Sequence, residues 1–188
     1  MIKFYDINKY VNLCSYSESV GWIGFYERKC EYSNELLNRS IYEFINFFKN
    51  ISPKVTIITS LYKFKINNSK INSAQTELIK LGYLRNLTTD DNFLENKTSS
   101  NMMRLFKEAD WSNVRKISSV VMNNDGDIAG HCFIIFETIN IIIYPHDDTG
   151  FGFILKTLNQ NSFEIVKSFF EHLDTNKFRF QIIDNWRI

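Results

Sequence analysis

Apolar positions along this chain follow two periods, and the places where one gives way to the other mark its elements. From Ser33 to Lys49, Leu37, Ile41, Phe44, Ile45 and Phe48 recur at three- and four-residue spacing, which puts them on one face of a helix. Ser33 can cap that helix, Glu35 meets the positive end of its dipole, and Pro53 blocks its continuation. Val55–Ile66 is β-branched and aromatic, and its second half alternates, so it reads as extended chain. A short helix is expected at 73–81, closed by Gly82. Residues 85–100 are polar and aperiodic, as expected of a mobile loop, and 102–110 reads as a short helix with Met103 and Phe106 inward.

The second half reads as a β-meander over about 116–155. Its expected strands are Lys116–Asn123, Ile128–Phe136, Asn140–Tyr144 and Gly150–Leu155, joined by short turns that force antiparallel neighbours. Asn124-Asp125-Gly126 suits the positive φ of a tight turn. Phe133–Phe136 and Ile141–Tyr144 are apolar on both faces, so these strands belong at the centre of a covered sheet. A last helix follows at 162–173, capped by Asn161 or Ser162, then a strand over Lys177–Ile183 and a tail in which Trp186 docks. At the other end, Ile2–Tyr5 and Trp22–Tyr26 read as short strands, and Trp22, Phe25 and Tyr26 as core, with a binding surface as the alternative. The expected fold class is α+β: one domain over 1–188 whose mixed or largely antiparallel sheet packs against helices.

Composition narrows the function classes. With 188 residues and 44% apolar content the chain can bury a real core, and 17 Phe and 9 Tyr supply large rings for packing or recognition. A net charge of +1 without a long basic run argues against direct nucleic-acid binding. No segment suits a membrane-spanning helix, and the first residues lack a signal-peptide pattern. Cys14, Cys30 and Cys132 are odd in number and share no metal-ligand spacing, which fits a reducing cytoplasm. Phosphate-cradling glycine loops, nucleophile elbows and zinc-protease motifs are absent, so neither a cofactor nor a small-molecule ligand is expected.

Two constellations remain. His131, His146, Asp147 and Asp148 bring imidazole and carboxylate together, the donor types of a metal site. His131 is placed away from the other three, at the start of its strand. In a hydrolase His146 would be a general base oriented by Asp147 or Asp148, a role that needs a nucleophile. Cys132 points to the opposite side of its strand from His131 and reads as a buried small hydrophobe. Tyr144–Gly150 is also rich in turn formers, so a plain turn accounts for these residues as well. The second constellation is acidic. In an up-and-down meander, Asp125 and Asp127 on the first turn share one end with His146, Asp147 and Asp148 on the third. Together they would form a patch that steers and holds a basic protein partner.

The stretch GHCFIIFETINIIIYPHDDTGFGFI, residues 130–154, resembles immunity proteins of bacterial polymorphic toxin systems, nearest those of contact-dependent growth inhibition. The resemblance implies a tight complex with a cognate toxin domain, often a nuclease, whose active site is blocked. It implies no catalysis and carries over no catalytic residue. The expectation is therefore a cytoplasmic, toxin-neutralising binding protein, with a small hydrolase or metal-dependent enzyme centred on His146, Asp147 and Asp148 as the alternative.

Overall fold

A computed structural model describes residues 6–63, 72–86, 105–123 and 126–183. The chain is α+β. Its elements are β1 (Trp22–Arg28), α1 (Asn34–Phe48), β2 (Val55–Thr59), β3 (Tyr62–Lys63), α2 (Ser73–Lys80), β4 (Arg85–Asn86), β5 (Leu105–Ala109), α3 (Trp111–Met122), β6 (Ile128–Ala129), β7 (Cys132–Phe136), β8 (Ile141–His146), β9 (Gly150–Leu155), α4 (Gln160–Glu171) and β10 (Phe178–Ile182). A seven-stranded antiparallel sheet runs β10-β1-β9-β8-β7-β2-β5, and β4-β3-β6 make a small second sheet.

One face of the large sheet carries the helices. Phe44 and Phe48 of α1, Ile117 of α3 and Phe169 of α4 pack there on Ile134, Phe136, Ile141, Ile143, Phe151 and Phe153, all essentially inaccessible to water. Each helix begins on a side-chain cap. Ser33 accepts from Leu36 N, Asp110 from Asn113 N and Asn159 from Ser162 N, while Asn72 and Gln75 make a reciprocal capping box. The opposite face is covered differently. Among the described residues its cover is the segment before β1, with two single-turn 3₁₀ helices at Ile7–Lys9 and Tyr16–Glu18. Ile7 and Val11 pack there on Ile58, Phe133, Ile135, Ile142 and Ile154.

Four expectations need correction. Residues 105–109, expected within a helix, form β5, an edge strand whose backbone pairs with β2 from Val55 opposite Ala109 to Thr59 opposite Leu105. Lys116–Asn123, expected as a strand, lies mostly within α3. Asp110 caps α3, and Val114, Ile117 and Ser118 turn inward at helical spacing; together these outweigh the β preference of its valines and isoleucine. The meander therefore consists of β7, β8 and β9 and does not begin at 116. The extended run from Val55 breaks at Ser60, where Leu61 N donates to Thr59 Oγ1 and the chain leaves the large sheet for the small one. Helix α4 begins earlier than expected, capped by Asn159. The expected strand Ile2–Tyr5, most of the loop 85–100, Met102 and Met103, Asp125 and the tail with Trp186 lie outside the described residues.

Candidate functional site

Because side chains alternate along a strand, the antiparallel registers line residues up in rows on the face away from the helices. Phe25 stands opposite both Gln181 and Gly152, and Gly152 opposite Tyr144. One step along, Glu27 stands opposite Arg179, and Gly150 opposite His146. Continuing the β1–β9 register one place brings Glu27 level with Gly150. Two rows result: Gln181, Phe25, Gly152 and Tyr144, then Arg179, Glu27, Gly150 and His146.

The two glycines explain how these rows are built. A Cβ on Gly152 would sit 2.0 Å from Cζ of Tyr144, so the ring lies flat across β9 where a side chain would otherwise stand. From there its hydroxyl accepts a 3.0 Å hydrogen bond from the indole N–H of Trp22 on β1. His146 reaches across Gly150 in the same direction, and its Nε2 lies 3.0 Å from the carbonyl oxygen of Tyr26. A carbonyl only accepts, so Nε2 carries the proton and Nδ1 carries the lone pair. Two side chains of β8 thus pin β1 across the intervening strand.

Above this floor is a groove of about 580 Å³. Its walls are aromatic: Tyr16 from the second 3₁₀ turn, Trp22, Phe25 and Tyr144. Tyr16 and Tyr144 have ring centroids 4.5 Å apart, and Phe25 meets the His146 ring edge-on at 6.1 Å. The far end is polar, formed by Glu27, His146, Asp147 and Asp148. Glu27 is buried, and its Oε1 receives the Nε of Arg179 at 2.5 Å. Asp148 is exposed and makes a loose pair with Arg28 at 3.9 Å. The β8–β9 corner holds Thr149 at φ 60°, a left-handed conformation that β-branched residues rarely adopt.

Burial sets the protonation states. It pushes His146 below its usual 6.5; the Tyr26 carbonyl and the carboxylates of Asp148, Glu27 and Asp147 act in the other direction and do not reverse it. His131 is lowered by burial too, and burial raises the Tyr16 phenol. Tyr16 Oη lies 2.5 Å from His131 Nδ1, and with both groups neutral the phenol donates.

The sequence-derived candidates separate on this geometry. His146, Asp147 and Asp148 come together at the groove's end. His131 was expected away from them, at the start of its strand. The start of β7 does lie at the same end of the antiparallel pair as the end of β8, but the pairing stops at Ile134 opposite Ile143, and His131 is not among the residues that line the groove. Asp127 does not line the groove. Its carboxylate is 2.6 Å from the ammonium of buried Lys63, which also donates to Gln75. With 111–122 helical, the turn before β6 is no turn of the meander, and the expected patch joining Asp127 to Asp147 and Asp148 loses its basis. Asp125 lies outside the described residues. Cys132 is buried on the helix-covered face, as expected, and its thiol is pushed up by burial.

Two residues of the site carried no signal in the sequence. Glu27 and Tyr16 lie more than a hundred residues before His146 and reach it only through sheet topology. The alternating GFG of β9 was the one legible hint, since a glycine at every second position strips side chains from one face of a strand.

Comparison with protein-family models, with curated proteins and with solved structures gives no match.

Proposed function

We propose that this chain is a binding protein that holds a partner protein in the aromatic groove, and that the partner is a toxin domain which it neutralises in the cytoplasm. One observation supports a binding role over catalysis: the groove has recognition chemistry, and among the described residues no hydrogen bond joins its hydroxyl-bearing Ser17 to His146. Tyr16, Trp22, Phe25 and Tyr144 offer large, rigid, partly polar rings, the residue types that dominate protein interfaces. Asp147 and Asp148 stand exposed at its end, where they favour the approach of a basic partner. The hydrolase alternative asks for an oriented base. Among the described residues, the hydrogen bond that fixes His146 runs to a backbone carbonyl and not to Asp147 or Asp148. The thiol of Cys132 is buried on the other face. No helix among the described residues is long and apolar enough to cross a membrane.

The test is co-expression with the C-terminal domain of any toxin-like protein encoded beside this gene. The proposal expects rescue of growth and recovery of a stable one-to-one complex by affinity purification. Continued killing and no complex would remove it.

A further inference from the structure

The polar end of the groove has the composition of a metal site as well as that of a docking surface. A ring nitrogen of His146, a carboxylate oxygen of Glu27 and one of Asp148 lie within 4.8 Å of one another. We infer that Glu27, His146 and Asp148 bind one divalent first-row metal ion of the zinc class at the foot of the groove.

The first support is how each ligand is held. The bond from His146 Nε2 to the Tyr26 carbonyl fixes the ring and its tautomer, as the outer partners of metal-binding histidines do. Among the described residues the other ring nitrogen, Nδ1, has no hydrogen-bond partner. Glu27 is anchored in the same way. Arg179 places both Nε and Nη2 on Oε1, which orients the carboxylate and leaves Oε2 outside that contact. Asp148 is the adjustable ligand, with a side chain 61% exposed and its arginine only at 3.9 Å. Ligands of a tetrahedral ion bound at about 2.0–2.1 Å stand about 3.3 Å apart, so binding draws the three atoms inward. Rotation of the Asp148 side chain supplies that movement.

The donor set decides the class of ion. One imidazole with two carboxylates suits zinc and its first-row neighbours, whereas calcium and magnesium favour all-oxygen sites. Three protein ligands leave a fourth position open towards the groove, where a partner's side chain or water completes the shell. This set differs from the one suggested by the sequence: Glu27 enters, while Asp147 and His131 are not part of it. The inference does not depend on the identity of the partner.

The experiment is calorimetric titration of zinc chloride into the full purified chain at pH 7.5, repeated with Asp148→Asn, Glu27→Gln and His146→Gln, and with Glu164→Gln on α4 as a control. Far-ultraviolet circular dichroism checks that each variant folds. Asp148→Asn lies on an exposed turn and remains decisive should a buried substitution unfold the chain. One ion per chain is expected, with binding at least about tenfold weaker in Asp148→Asn and unchanged in Glu164→Gln. Cobalt(II) bound at the same stoichiometry should show the visible bands of a low-coordinate site. Either of two results overturns the inference. One is no saturable binding. The other is binding that Asp148→Asn leaves undiminished, which would place the ion elsewhere, for example at the exposed thiols of Cys14 and Cys30.

Discussion

Gly152 shows how one position governs the site. Its missing side chain is the space that the Tyr144 ring occupies. Gly152→Ala must displace that ring and disturb the bond to Trp22, so it should destabilise the fold by about 1–3 kcal/mol, the usual cost of overpacking. Urea unfolding measures this. Tyr144→Phe keeps the ring but takes away the acceptor of the buried Trp22 N–H, at a cost of about 1–3 kcal/mol for an unsatisfied donor. His146 makes a prediction in pH. Its folded value lies below 6.5, so between 6.5 and that lower value the unfolded chain binds more protons than the folded one. Stability should therefore fall as pH drops through this window and level off below it. His131 contributes in the same direction. Comparing urea midpoints at pH 7.5, 6.5 and 5.5 tests the point. The decline should be shallower in His146→Gln, and a rise in stability on acidification would contradict the assignment.

At the scale of elements, α3 is the instructive case. Its twelve residues include three valines and an isoleucine, which read locally as strand, yet the segment is helical because Asp110 caps it and its apolar positions face α1 and the sheet. Asp110→Ala should accordingly cost about 1 kcal/mol, read as a lowered urea midpoint. Elements whose period and caps agree were legible from sequence: α1 with Ser33, α2 with Gly82 beyond its end, and the apolar runs Phe133–Phe136 of β7 and Ile141–Tyr144 of β8. Elements decided by distant pairing were not. Residues 105–109 are a strand because β2 lies beside them, and nothing within those five residues states that. The site divides along the same line. His146, Asp147 and Asp148 were visible as a local cluster. Glu27 and Arg179 join it only because β1 sits between β9 and β10. Asp127 looked available because its partner Lys63 is sixty-four residues away.

Across the whole molecule, the two faces of the large sheet serve different ends. One is buried under α1, α3 and α4 and holds most of the large core rings. The other is covered by the segment before β1, and at the edge of that cover the sheet opens into the groove. The core and the groove are thus placed on opposite sides, so under the proposed binding role substitutions at the groove should weaken binding while leaving the core intact. Phe25 is the residue that separates the two most cleanly: it is half-buried on the groove side and packs on Trp22 and His146. Phe180 is a matched control, an exposed ring on the helix side that stacks on Phe170. The most direct measurement is a calorimetric titration of the proposed toxin partner with the unmodified chain, Phe25→Ala and Phe180→Ala. A groove-centred complex predicts saturable binding by the unmodified chain, a loss of at least about thirtyfold in Phe25→Ala, matching a hot-spot cost of about 2 kcal/mol, and little change in Phe180→Ala. Absence of binding, or equal affinity in all three proteins, would contradict it.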